Sequence, residues 1–134
     1  MMLKLRIECC REPLVLEEYN APESGGVVRF TGVVREEEQG HAIAGLEYEA
    51  YQPMAERIME RILEELHAVN PVHSARVLHR LGFVPVGEAA IIVEIHAAHR
   101  REAFLVAEGF MDRLKQEVPI WKVRAVPRPT TSHS

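Results

Sequence analysis

The order of hydrophobic patterns along this chain predicts an α+β domain, with an antiparallel or mixed sheet and two main helices packed on it. Two observations predict it. Six short segments alternate apolar and polar residues, or run apolar and β-branched, at strand lengths. Two longer segments repeat apolar residues at helical spacing with charges opposite. The short connections between successive strands favour antiparallel neighbours.

Leu3, Leu5, Ile7 and Cys9 alternate with polar residues, the period of a half-buried strand. GGVVRFTGVV (Gly25 to Val34) is a second strand, opened by a glycine pair. EEEQGH (Glu36 to His41) has no apolar residue and is expected to be a mobile loop. AIAGLEYEAY (Ala42 to Tyr51) alternates again. Pro53 then suits the first turn of a helix whose stripe is Met54, Ile58, Ile62, Leu66 and Val69, ended by Asn70-Pro71. SARVLHRLG (Ser74 to Gly82) is a strand and VPVGE a turn. AAIIVEIHAA (Ala89 to Ala98) is apolar enough to be a central strand covered on both faces. A second helix is expected over 100–117, burying Ala103, Phe104, Ala107, Phe110, Met111 and Leu114, and stopped by Pro119. IWKVRAV (Ile120 to Val126) closes the fold. Residues 1–126 are thus expected to form one domain, and PRPTTSHS, 127–134, a disordered tail.

The bulk numbers narrow the function. At 134 residues the chain can bury a core without staples. A net charge of -4 and a pI near 6.0 argue against a nucleic-acid binder. No apolar run approaches the roughly 20 residues needed to span a bilayer, and MMLKLRIECC lacks the pattern of a signal peptide, so a cytoplasmic protein is expected. Cys9 and Cys10 are adjacent and the only cysteines; they suit neither an ordinary disulfide nor a zinc site. His96 and His99 make an HxxH across a strand end, where alternation points the rings apart, so no metal site is expected. No GK[ST] phosphate loop, GxSxG elbow or CxxC occurs.

Cations gather in the last third of this acidic chain: His99 if protonated, Arg100, Arg101, Lys115 and Lys122. Arg100 and Arg101 start a helix, where the macrodipole favours anions over cations. Free backbone N–H groups and guanidinium forks at such a place suit an anionic ligand. Lys115, in the last turn, could equally cap carbonyls. Lys122 follows Trp121 in a strand, so the two side chains face opposite ways.

These segments together resemble the large, catalytic subunit of molybdopterin synthase. The resemblance runs from about Gly25 to Lys122. It rests on GGVVRFTGVVR, LEYEAYQPMAE, the strand ending in HRLG, HRREAF, and an LK followed seven residues later by PIWK. It implies a hammerhead-type α/β subunit that forms a homodimer and binds two small ubiquitin-like subunits. Each of these ends in a Gly-Gly thiocarboxylate. Their sulfur would pass, in two transfers, to cyclic pyranopterin monophosphate to make the molybdopterin dithiolene, with no metal or redox cofactor. By position, Lys115 would be the main catalytic lysine and Lys122 the second. Arg35, His99 and Arg100, with Val33, Val34, Val123 and Arg124, would line the substrate pocket. Arginine forks match phosphate oxygens, and preorganised cations stabilise the charge that develops on sulfur attack.

Val33 stands where many family members carry a basic residue, and Arg124 where they carry Glu. PRPTTSHS replaces a longer C-terminal segment. A non-catalytic paralogue that only holds a ubiquitin-like Gly-Gly tail is the alternative. Retention of both lysines speaks against it, since docking a tail does not need two.

Overall fold

The computed structural model describes residues 2–19 and 21–129. In chain order the elements are β1 (Lys4–Cys10), β2 (Gly26–Val33), β3 (Glu37–Glu38), β4 (His41–Ala50), α1 (Met54–Val69), β5 (Ser74–Arg80), β6 (Gly82–Pro85), β7 (Ala89–Ala97), α2 (Arg100–Glu117) and β8 (Ile120–Pro127). Pairing of β8 carries through Pro127, into the expected tail, and 130–134 lie outside the described residues.

The first sheet has the order β1-β5-β7-β2 and is mixed: β1 runs parallel to β5, while β5/β7 and β7/β2 are antiparallel. The apolar run of β7 occupies an interior position, buried from Ala90 through Ala97. Alternation then splits its side chains between two faces. Ile91, Val93, Ile95 and Ala97 join Ala75 and Val77 of β5 in a core with both helices, centred on the fully buried Met59, Ile62, Leu63, Val106 and Phe110. Ile92 turns to the other face, where it meets Leu78 and Leu16. The second sheet is built around β4, which pairs antiparallel with β3, β6 and β8. Its crossing with β6 is too close for a side chain at Gly45, where a Cβ would stand 2.4 Å from the Val84 carbonyl oxygen.

Four expectations are corrected here. The α1 stripe is rotated: Met54 and Val69 are exposed, and Ala55, Met59, Ile62 and Leu63 are buried. Four-residue steps advance about 40° on a 3.6-residue helix, so a stripe written i, i+4, i+8, i+12 wanders off the buried face. Phe104 is 59% exposed. VPVGE is not merely a turn, since Val84 and Pro85 belong to β6 and pair with β4. The stretch expected as a mobile loop closes a short hairpin, with Glu37 opposite Ala42, Glu38 opposite His41, and positive φ at Gln39 (49°) and Gly40 (80°). Among the described residues, no helix is long and apolar enough to cross a membrane.

Candidate active site

A short path in sequence brings the two lysines together. The last two turns of α2 carry Met111, Leu114 and Lys115, and the helix ends where the Val118 N–H donates to the Leu114 carbonyl. Pro119 then turns the chain, its carbonyl accepting from the Tyr51 N–H at 3.0 Å, and β8 begins at once. Pairing to β4 sets Lys122 opposite Tyr48. The space between this corner and the end of the first sheet is a cleft of about 500 Å³. Its sheet wall is Phe30, Gly32, Val33, His79 and Ile91; its other wall holds Lys115, Trp121, Lys122 and Tyr48.

The two amines differ in their surroundings. Lys115 is exposed at the mouth and makes no hydrogen bond or ion pair with any described residue. Lys122 Nζ lies 2.9 Å from Glu38 Oε2, so the short hairpin positions it. Burial raises the Tyr48 hydroxyl above its usual value, partly countered by the nearby Lys122 charge. Sulfur chemistry of the chain's own thiols is disfavoured, because burial, helped by Glu56 and Cys10, pushes Cys9 up to about 12.

A second, smaller cleft of about 110 Å³ adjoins the first, sharing Val33, Tyr48 and Lys122, and it adds Val34 and Arg35. Val33, Val34, Arg35, Lys115 and Lys122 therefore gather in one region. His99 and Arg100 do not join them. They line a separate hollow with Gly25, Ala98 and Arg101, at the other end of β2. There a Cβ on Gly26 would sit 2.7 Å from the Arg100 backbone nitrogen. With eight residues in β2 at about 3.3 Å each, more than about 20 Å separates this hollow from Arg35. Val123 falls at an irregularity in the β4/β8 pairing, and Arg124 pairs with Glu47 at 3.3 Å. Neither lines either cleft.

Sequence reasoning missed His79, Tyr48 and Glu38. In sequence Tyr48 and His79 each occupy an ordinary strand position, and Glu38 lies in EEEQGH, a segment with no apolar residue. One signal was available for the helix side: Met111 and Lys115 are four residues apart and so share a face.

Fold and cleft define a class of protein: an α+β subunit that presents two amines, from a helix end and the strand after it, over an apolar cleft floor with an arginine alongside. The chain belongs to the MoaE family, described as "MoaE protein", which matches residues 9–117. It is similar to the molybdopterin synthase catalytic subunit of Bacillus subtilis, 36% identical over 121 residues that cover 87% of this chain and 77% of that one. Catalytic subunit 1 of the same enzyme from Mycobacterium tuberculosis is 42% identical over 108 residues, covering 81% and 74%. Among solved structures, molybdopterin synthase from Staphylococcus aureus superposes with a TM-score of 0.84 at 33% identity, over 94% of this chain and 96% of that one. A complex of subunits 1 and 2 of molybdopterin-converting factor from Helicobacter pylori shares the fold, with a TM-score of 0.65 at 24% identity, over 83% and 76%.

Proposed function

We propose that this chain is the catalytic subunit of a molybdopterin synthase. It takes sulfur from the thiocarboxylated Gly-Gly tail of a small ubiquitin-like subunit and places it on cyclic pyranopterin monophosphate, twice, to form the dithiolene. The observation that carries the reading is the meeting of Lys115 and Lys122 in one apolar-walled cleft, with Arg35 in the cleft beside it. Thiocarboxylate and phosphate are both anionic. An apolar wall weakens solvent screening, so fixed amines act more strongly on charge that develops in the transition state. The guanidinium of Arg35 suits the phosphate, and Lys115, with no carboxylate partner among the described residues, is free to meet the reacting groups.

His99 and Arg100 enter this site only from a second copy. β2 is an edge strand of the first sheet, and beside it a shallow groove holds the exposed Phe30 and Phe104 with Met111. An antiparallel apposition of two β2 edges covers these side chains. It also brings the Gly26 end of one chain to the Val33 end of the other, so Arg100 of one copy faces Arg35 of its partner.

Reconstitution tests the function: purified chain, thiocarboxylated small protein and cyclic pyranopterin monophosphate, with molybdopterin formation measured. A folded wild-type chain that binds the charged tail yet makes no product would favour the tail-binding alternative. Mixing tests the shared site. Lys115→Ala and Arg100→Ala chains, each inactive alone, should recover activity when mixed, because the mixed dimer keeps one intact site. No recovery despite proven subunit exchange would place Arg100 outside the site.

A further inference from the structure

Lys115 and Lys122 bring N–H donors to the main cleft, and Tyr48 brings a hydroxyl whose proton burial retains. His79 brings a lone pair. Its ring, 5% exposed, comes from the helix-facing side of β5 and stands edge-on to Tyr48, with centroids 5.3 Å apart and planes at 73°. Nδ1 lies 2.9 Å from the carbonyl oxygen of Arg80. A carbonyl only accepts, so Nδ1 carries the ring proton and donates it. The lone pair of the neutral ring is therefore on Nε2. That nitrogen has no hydrogen-bond partner among the described residues and is not sealed from solvent, so it opens on the cleft the ring lines. Burial lowers the imidazole's proton affinity, against the Arg80 bond that raises it, and the ring stays neutral at pH 7.

We propose that His79 Nε2 is the general base for the water that frees the small-subunit tail once sulfur has bonded to the pterin. The inference rests on the sulfur-transfer function proposed above. After the C–S bond to the pterin forms, the tail is held as a thioester. Water oxygen bonds to the acyl carbon while one water proton passes to Nε2, giving a tetrahedral oxyanion and an imidazolium. The acyl carbon–sulfur bond then breaks, its electron pair leaving on sulfur as the pterin thiolate. The tail departs as a carboxylic acid that ionises, and the imidazolium returns its proton to solvent. The lysines, as N–H donors, stabilise the oxyanion and the departing thiolate but lack the lone pair that the water step needs.

The groups facing the ring decide its pH behaviour. Tyr48 comes from β4, Lys115 from α2 and Lys122 from β8, while β2 and β7 offer only uncharged residues, Phe30, Gly32 and Val33 from one and Ala90 and Ile91 from the other. Cys9 is its neighbour on β1 and Arg80 its neighbour in sequence. Among the described residues no carboxylate lines this cleft, so the bond to the Arg80 carbonyl alone opposes the effect of burial on the ring.

The test is single turnover with the assembled complex of this chain and thiocarboxylated small subunit, comparing wild type with His79→Gln. Mass spectrometry follows the tail from thioester to carboxylate, and quenched samples follow C–S bond formation. Tail release in His79→Gln should slow by about 10²–10⁴-fold with the thioester accumulating, while C–S bond formation changes little. Wild-type release should fall with acid as Nε2 takes up a proton, at a pH lower than an ordinary imidazole would show because burial lowers the ring's proton affinity. That acid limb should vanish in the variant, whose residual rate climbs with hydroxide. Release at the wild-type rate with the same acid limb would overturn the proposal. No C–S bond formation in wild type would instead overturn the sulfur-transfer function on which it rests. Should His79→Gln fail to fold, nitrogen NMR of wild type decides: the proton at Nδ1 at pH 7 supports the assignment, and a proton at Nε2 overturns it.

Discussion

The two faces of the first sheet treat charge in opposite ways. On the face turned from the helices, Glu94 is 4% exposed and is surrounded by donors. Arg29 gives it bonds of 2.8 and 2.6 Å, His96 Nε2 stands 2.8 Å away, and the Arg76 guanidinium binds its second oxygen. Tyr19 lies under Arg76 at 5.1 Å and edge-on to His96. Burial alone would raise the Glu94 carboxyl, but the bonds from Arg76, His96 and Arg29 outweigh it and hold the group at about 2. On the helix-facing side, Lys115 stands open with no partner among the described residues, and Lys122 is tied among them only to Glu38. A charge whose partners are all supplied by the fold has nothing left to give a ligand. A charge left unpaired at a cleft mouth costs little there because water solvates it, and it can exchange that water for a substrate.

That contrast predicts where mutations act. Lys115→Ala should lower product formation about 10²–10⁴-fold, while stability changes by no more than about 0.3–1 kcal/mol, the worth of a helix-end lysine. Turnover near wild type in the reconstituted reaction would remove Lys115 from the chemistry.

Glu94→Ala should do the reverse. It leaves Arg76 buried without its counter-charge and should cost about 3–5 kcal/mol in urea unfolding, with tail binding kept by whatever remains folded. A loss below about 1 kcal/mol would mean that the network is no stronger than a surface pair. Acid should echo this effect. The folded-state carboxyl sits below its ordinary 4.5, so its contribution is complete above about pH 5 and disappears as pH falls towards 2. In Glu94→Ala that part of the acid sensitivity should be missing from pH-dependent unfolding curves.

The smallest effect is expected at Lys122. Its bond to Glu38 fixes the amine at the cleft wall, so Lys122→Ala should slow turnover less than Lys115→Ala, on the order of 10–100-fold, with stability shifted by under about 1 kcal/mol. A loss equal to that of Lys115→Ala would make the two amines equal partners.

Much of the architecture was open to reading before any coordinates. Local signals determined the second helix, whose expected span of 100–117 is the span of α2, and the interior place of the Ala89 to Ala98 run. Spacing and motif also singled out Lys115 and Lys122, which the fold brings to one cleft. These features rest on periodicity, helix stops and residue types close in sequence, which a chain carries in itself. What needed the tertiary structure were relations between distant segments. The phase of α1 followed from how it docks on β1 and α2, and Phe104 was left exposed because it lies beside the open edge at β2. Glu38 became a partner of Lys122 across 84 residues of sequence. His79 became a cleft residue because α2, β4 and β8 close around its strand, a placement that alternation in the strand cannot express. His99 and Arg100, part of the same sequence motif as the lysines, stand at the opposite end of α2 from Lys115, since a helix rising about 1.5 Å per residue holds its two ends roughly 20 Å apart.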